Sequence, residues 1–220
     1  MITAQMARAR AELMADAVVH SIGVTLALLS VPVLITLAAA IDGSGAVIAG
    51  VAVYGAGLLA MLIVSAVYNL LPARSAMREA LRRCDHAVIY LKIAATQTPF
   101  AVFAGGTQAI WVMAALWATA IIGAAGKLFL PDLMRRLGVP LYLVLGWLGL
   151  MLVWPGGDVE LGTATVILAL VGGGVYSIGV AFFLMERLRY HVAIWHGFVL
   201  VASFVFYSAV LVEICLRAMV

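Results

Sequence analysis

Charge is what this sequence has least of. Only 10% of its 220 residues are Asp, Glu, Lys or Arg, against 66% hydrophobic, and the mean hydropathy is +1.17. A soluble domain carries about 25% charged residues and could not keep that much apolar surface out of water. A soluble domain is therefore excluded. Short alternating segments, the mark of a membrane β-barrel, are missing as well; the apolar runs are long and continuous, as membrane helices require. No linker, low-complexity tract or soluble tail interrupts them, which leaves a single domain over 1–220. The two cysteines, Cys84 and Cys215, fall at opposite membrane faces and so cannot pair within one chain. The glycine-rich stretch LVGGGVYSIG (170–179) lacks a following Gly-Lys-Ser/Thr and is not a phosphate loop. Small residues at Gly172, Gly173, Ser177 and Ala181, like GAAG at 123–126, instead let helices approach closely.

The expected fold is all-α: an integral membrane protein built as a seven-transmembrane helix bundle. The spans are expected at about 17–41, 46–72, 85–104, 108–130, 137–154, 160–185 and 192–216. Residues 1–16, with Glu12 and Asp16, are read as a short amphipathic lead-in; the apolar stretch behind them is too long for a signal peptide. Eleven of the thirteen Lys and Arg fall on one side of this arrangement, Arg217 lies on the other, and Lys92 sits inside a span. The positive-inside rule then places the N-terminus in the cytoplasm and the C-terminus outside. The pI near 9.1 follows from this topology and calls for no nucleic-acid partner. Trp111 and Trp154, at outer helix ends, suit an interfacial aromatic belt.

The few polar residues crowd toward the cytoplasmic face. Glu12, Asp16 and His20 repeat every four residues and so share one helix face. Ser65 and Asn69 repeat that spacing at the end of the second span, Asp85 and His86 open the third, and His191 and His196 open the seventh. All are expected within ~10 Å of the boundary, at about 1.5 Å per residue. Together with Lys92, which a span would turn toward the bundle interior, these positions predict a polar cavity formed by Glu12, Asp16, His20, Ser65, Asn69, Asp85, Lys92 and His196. Structural readings stand beside the functional one. Polar residues at helix ends snorkel cheaply, Asp85 suits an N-cap, Glu12 is spaced to pair with Arg8, and Glu213 with Arg217 forms an i, i+4 pair.

Metal chemistry is the sharper question. His191 and His196 are five residues apart, about 140° around a helix, so one α-helical face cannot turn both to one ion. Four histidines in all, none at mid-membrane, argue against a bis-histidine haem.

Five segments in order, ELMADAVVHSIG, SAVYNLLP, LRRCDHAVIYLKIAATQTPF, GGGVYSIG and AIWHGFVLVAS, resemble the signatures of the hemolysin III family, the bacterial branch of the progestin and adipoQ receptor superfamily. The resemblance implies a seven-helix fold with a cytoplasmic N-terminus. In the wider superfamily it implies zinc held by a His four residues after a Ser in the second helix and an H-x-x-x-H pair in the seventh, with an Asp in the third. Here Ser65, Asp85 and His196 match, whereas Asn69 and Val192 occupy two of the three histidine positions. The expectation is therefore no metal cofactor, with catalytic residues unassigned. Lys92 and Gln97 stand where the family more often has an apolar residue and a Tyr, making the pocket more polar. Three classes of function remain open: a non-enzymatic sensor of membrane lipid or a lipid-like small molecule, a zinc-dependent lipid amide hydrolase, and a cytolytic or conducting protein. The first is favoured.

Overall fold

The computed structural model describes residues 2–70, 77–153 and 160–219. Pro72, Arg74 and Trp154 lie outside the described residues, and so do the side chains of residues 2–9, including Arg8. Among the described residues every regular element is a helix: α1 (Ile2–Ile41), α2 (Gly45–Leu70), α3 (Arg78–Ala104), α4 (Gly106–Phe129), α5 (Pro131–Leu148), α6 (Leu150–Val153), α7 (Thr163–Leu184) and α8 (His191–Arg217). Seven stretches are long and apolar enough to cross a membrane, with α5 and α6 sharing one, Pro131–Leu152. Pro32, Pro99 and Pro140 lie inside three of them, which packed membrane helices tolerate.

Helix boundaries depart from the expected spans where charge meets helix. The third helix starts at Arg78 rather than 85. Apolar runs mark where hydrocarbon surrounds a helix, whereas hydrogen bonding marks where the helix begins, and here Glu79 supports the extra turns by binding Arg82 and Arg83 at i+3 and i+4. Asp85 is therefore well inside α3, and the N-cap reading for it is wrong; Met77 holds that position without a side-chain cap. From Ile2 onward the expected lead-in runs without a break into α1. The fifth span starts early, at Pro131, where a first-turn proline loses no helical hydrogen bond.

α3 is the axis of the bundle. It packs on α2, α4, α5, α6 and α8, and 78% of its most apolar window is buried, against 17% for α7. That explains its modest hydropathy: a helix surrounded by protein needs no apolar rim, so it can carry Asp85, Lys92, Thr96, Gln97 and Thr98, all buried. α1 packs on α2 and α8, and α7 on α8 and α5. Glycines set the closest approaches: a Cβ at Gly57 would lie 3.6 Å from the Lys92 Cα, and one at Gly172 would meet the Phe206 ring at 2.7 Å. At the far end from the Arg-rich connections, Glu213 accepts from the Gly162 N–H at 3.1 Å while Arg217 donates to the Phe103 carbonyl at 2.5 Å. The ion pair between them is loose, 3.8 Å. Cys84 and Cys215 are both free.

Candidate functional site

A cavity of about 270 Å³ occupies the bundle interior between α1, α2, α3, α5, α7 and α8. This sits just under the ~300–1,000 Å³ usual for ligand pockets. Its walls are mostly aliphatic and aromatic, from Met61 and Leu62 on α2 through Leu143 on α5 and Phe183 on α7 to Trp195 and Val199 on α8. Polar groups enter at two levels.

The first lies at the end where α2 finishes and α8 begins. Asp16 and His20, one turn apart on α1, are both buried. His196 Nδ1 donates to Asp16 Oδ1 at 2.5 Å. His20 Nδ1 lies 2.9 Å from the Asp16 carbonyl oxygen, which can only accept, so this nitrogen carries the hydrogen. The two imidazole rings meet edge to face, centroids 4.5 Å apart. Ser65 Oγ is the junction of the cluster: it stands 3.1 Å from His20 Nε2, takes a hydrogen bond from the Asn69 amide at 3.3 Å, and reaches the Asp85 carboxyl group. A hydroxyl has one hydrogen to give; it serves His20 or Asp85, not both.

The second level is one to two turns further along α3. Lys92 is 3% exposed. Its amino group donates to the Tyr176 hydroxyl and lies 4.2 Å from that ring's centroid and 5.8 Å from that of Phe206. Tyr176 Oη in turn is 2.6 Å from Ser203 Oγ, and the Tyr54 hydroxyl donates to the Ser203 carbonyl. Among the described residues no carboxylate lies within 4.0 Å of Lys92, so Asp85, two turns away, forms no ion pair with it.

Of the residues read from sequence, His20, Ser65, Asn69, Asp85, Lys92 and His196 line the cavity. Asp16 stands behind His20 and His196 and binds both. Glu12 is half-buried and is not part of the wall. His191 is the first residue of α8, its ring turned to the Leu188 carbonyl, and also stays outside. Sequence reasoning missed Tyr176, although GGGVYSIG was in view; the stretch was read for its small residues and as a family signature. It also missed the meeting of His20 with His196, for which the four-residue step from Asp16 to His20 was the available signal.

That meeting bears on zinc. At the positions implied by resemblance the side chains do not fit: Asn69 spends its amide on the Ser65 carbonyl, and Val192 faces the cavity with no donor atom. Asp16, His20 and His196 nevertheless bring one possible ligand atom each within 4.8 Å of one another, a carboxylate and two imidazoles, which is a donor set that zinc uses. As packed, these groups hold each other. Two atoms bound to one tetrahedral zinc at ~2.0–2.1 Å stand about 3.3 Å apart, whereas Asp16 and His196 are 2.5 Å apart. An ion would have to replace that hydrogen bond.

The family described as "Haemolysin-III related" matches residues 11–207. The chain is 34% identical over 203 residues to the "Hemolysin-3 homolog" of Bacillus subtilis (strain 168), covering 91% of this chain and 93% of that one. It is 32% identical to "Hemolysin-3" of Bacillus cereus, covering 91% and 90%. A human protein, "Monocyte to macrophage differentiation factor", is 27% identical over 164 residues, 72% of this chain and 67% of its own.

Proposed function

The chain belongs to the haemolysin-III related family and is a multi-pass plasma-membrane protein; from that premise we propose that it binds a lipid-like amphiphile inside the bundle and senses or regulates membrane state without catalysis. The observation that carries this reading is the cavity itself: mostly apolar walls inside the bundle, with buried polar groups at two levels. A lipid tail gains by filling such a space, and a polar head finds partners there. Hydrolysis is disfavoured because Asn69 and Val192 replace two implied ligands. A bound metal is what would make a water nucleophilic at such a site.

The polar cluster is read as lying on the cytoplasmic side, with the N-terminus inside and the C-terminus outside, on the strength of the Lys and Arg asymmetry. Reporter fusions at both ends test this; a periplasmic reporter active at the N-terminus overturns it. A conducting role is disfavoured by Phe100, Phe103 and Phe206, bulky apolar side chains buried on α3 and α8 between the Lys92 level and Arg217.

One observation favours a second reading, a zinc site: the grouping of Asp16, His20 and His196. A lipid census and elemental assay of one preparation separate the two. Copurifying single-chain lipid without zinc supports the first; stoichiometric zinc that survives mild chelation supports the second.

A further inference from the structure

A buried amino group is costly to desolvate and is normally compensated by a carboxylate. Lys92 has no such partner among the described residues; its polar contact is the Tyr176 hydroxyl, which also serves Ser203, and two aromatic rings flank it. The protein closes its other approaches. On the α2 side Gly57 brings the two backbones together, and α8 contributes Phe206 and the Ser203 hydroxyl. The face left to Lys92 is the cavity, whose wall it forms.

We propose that Lys92 is the anchoring site for the acid group of a single-chain carboxylic amphiphile, a long-chain fatty acid in chemical class. This inference rests on the lipid-binding reading of the same cavity and names its ligand. The carboxylate takes a hydrogen bond from the Lys92 amino group, either as a preformed ammonium or after the incoming acid has transferred its proton to the amine. Tyr176, able to donate one hydrogen, turns from Ser203 to the second carboxylate oxygen or stays as the lysine's acceptor. One cation and one phenol match one negative charge. A phosphate monoester, with about −1.5 to −2 charge and three acceptor oxygens, would be left short of donors. The aliphatic wall formed by Met61, Leu62, Leu143 and Val199 suits the tail.

The cavity contains its own reporters, Trp147 and Trp195. The test uses the full-length protein in detergent, titrated with brominated hexadecanoic acid, with brominated hexadecanol and with brominated hexadecyl phosphate. The signal read is the tryptophan quenching that excess unbrominated compound reverses. The acid is expected to bind tighter than the alcohol, and Lys92→Leu to weaken the acid by about tenfold or more, the effect of losing one buried hydrogen bond to a charged group, and the alcohol, which loses only a neutral acceptor's bond, clearly less. Alcohol binding doubles as the check that the variant is folded, and Lys92→Gln, closer in shape, repeats the measurement should Lys92→Leu misfold. Equal binding of acid and alcohol, insensitive to position 92, overturns the anchor but leaves the lipid-binding reading intact. Binding of neither overturns both. Tighter binding of the phosphate overturns the carboxylate assignment.

Discussion

The two polar levels of the cavity differ in how they satisfy themselves. At the level where α1, α2 and α8 meet the Asp85 turn of α3, two carboxyl groups, two imidazoles, a hydroxyl and an amide share hydrogen bonds. At the α3–α7 level a single lysine leans on a phenol and two rings. A closed network of this kind rigidifies and specifies helix packing; a buried lysine with no carboxylate beside it lacks such compensation, and the proposed acid group would supply it. The contrast separates a structural cluster from a binding determinant, and it can be tested by removing one group from each.

The largest effect is expected at Asp16. Asp16→Ala removes the acceptor of part-buried His196 and the carboxylate beside buried His20, whose bond to the residue-16 backbone carbonyl remains, and breaking such a pair costs up to about 3–5 kcal/mol. Thermal unfolding in lipid nanodiscs reads this, and Asp16→Asn, which keeps an acceptor oxygen, should lose clearly less. If Asp16→Ala unfolds like the parent, the cluster is not the structural element described.

Lys92→Leu should move stability the other way. Exchanging an unmatched buried charge for a well-packed hydrophobe is expected to stabilise by about 1–3 kcal/mol, with Tm rising as acid binding falls. A drop in Tm would mean that the contact with Tyr176 holds α3 to α7 and that the contrast between the two levels is false.

The architecture was legible in the sequence, because membrane helices announce themselves by length and hydropathy, and the chain gave all seven. The starts of α1, α3 and α5 were not, since charged turns such as Arg78–Arg83 continue a helix beyond the hydrocarbon that defines a span. For the site, depth was readable and partnership was not. Counting residues from a boundary put His20, Ser65, Asp85 and His196 at one level. Whether α1 lies against α8, so that Asp16 meets His196 across 180 residues, is a matter of helix packing on which periodicity is silent. The same limit hid Tyr176, whose partner on α3 is 84 residues away.

A smaller effect is expected from restoring the implied metal ligands. Asn69→His with Val192→His places an H-x-x-x-H pair with His196 and a third imidazole on the same cavity wall, a set catalytic zinc accepts. Zinc affinity should rise by about tenfold or more over the parent, which is expected to bind no tighter than micromolar because its Asp16–His196 hydrogen bond must first break. Isothermal titration measures both. An unchanged affinity would show that helices α2 and α8 are not arranged as family resemblance implies.

The smallest effect belongs to the surface. Glu79→Gln removes the pairs with Arg82 and Arg83, all three residues facing outward, and exposed pairs of this kind contribute little. No resolvable change in Tm is expected; a clear loss would mean that the extra turns of α3 help to seat Asp85, tying the rim to the cluster.

The central claim, that the bundle interior holds a lipid-like amphiphile and not a catalytic metal, is tested most directly by native mass spectrometry of the protein released gently from membranes, beside a Val180→Trp variant that fills the cavity wall. The account predicts a single adduct of lipid-like mass on the parent, reduced on the filled variant, with no zinc adduct. A parent protein carrying stoichiometric zinc and no lipid, or lipid adducts indifferent to Val180→Trp, would contradict it.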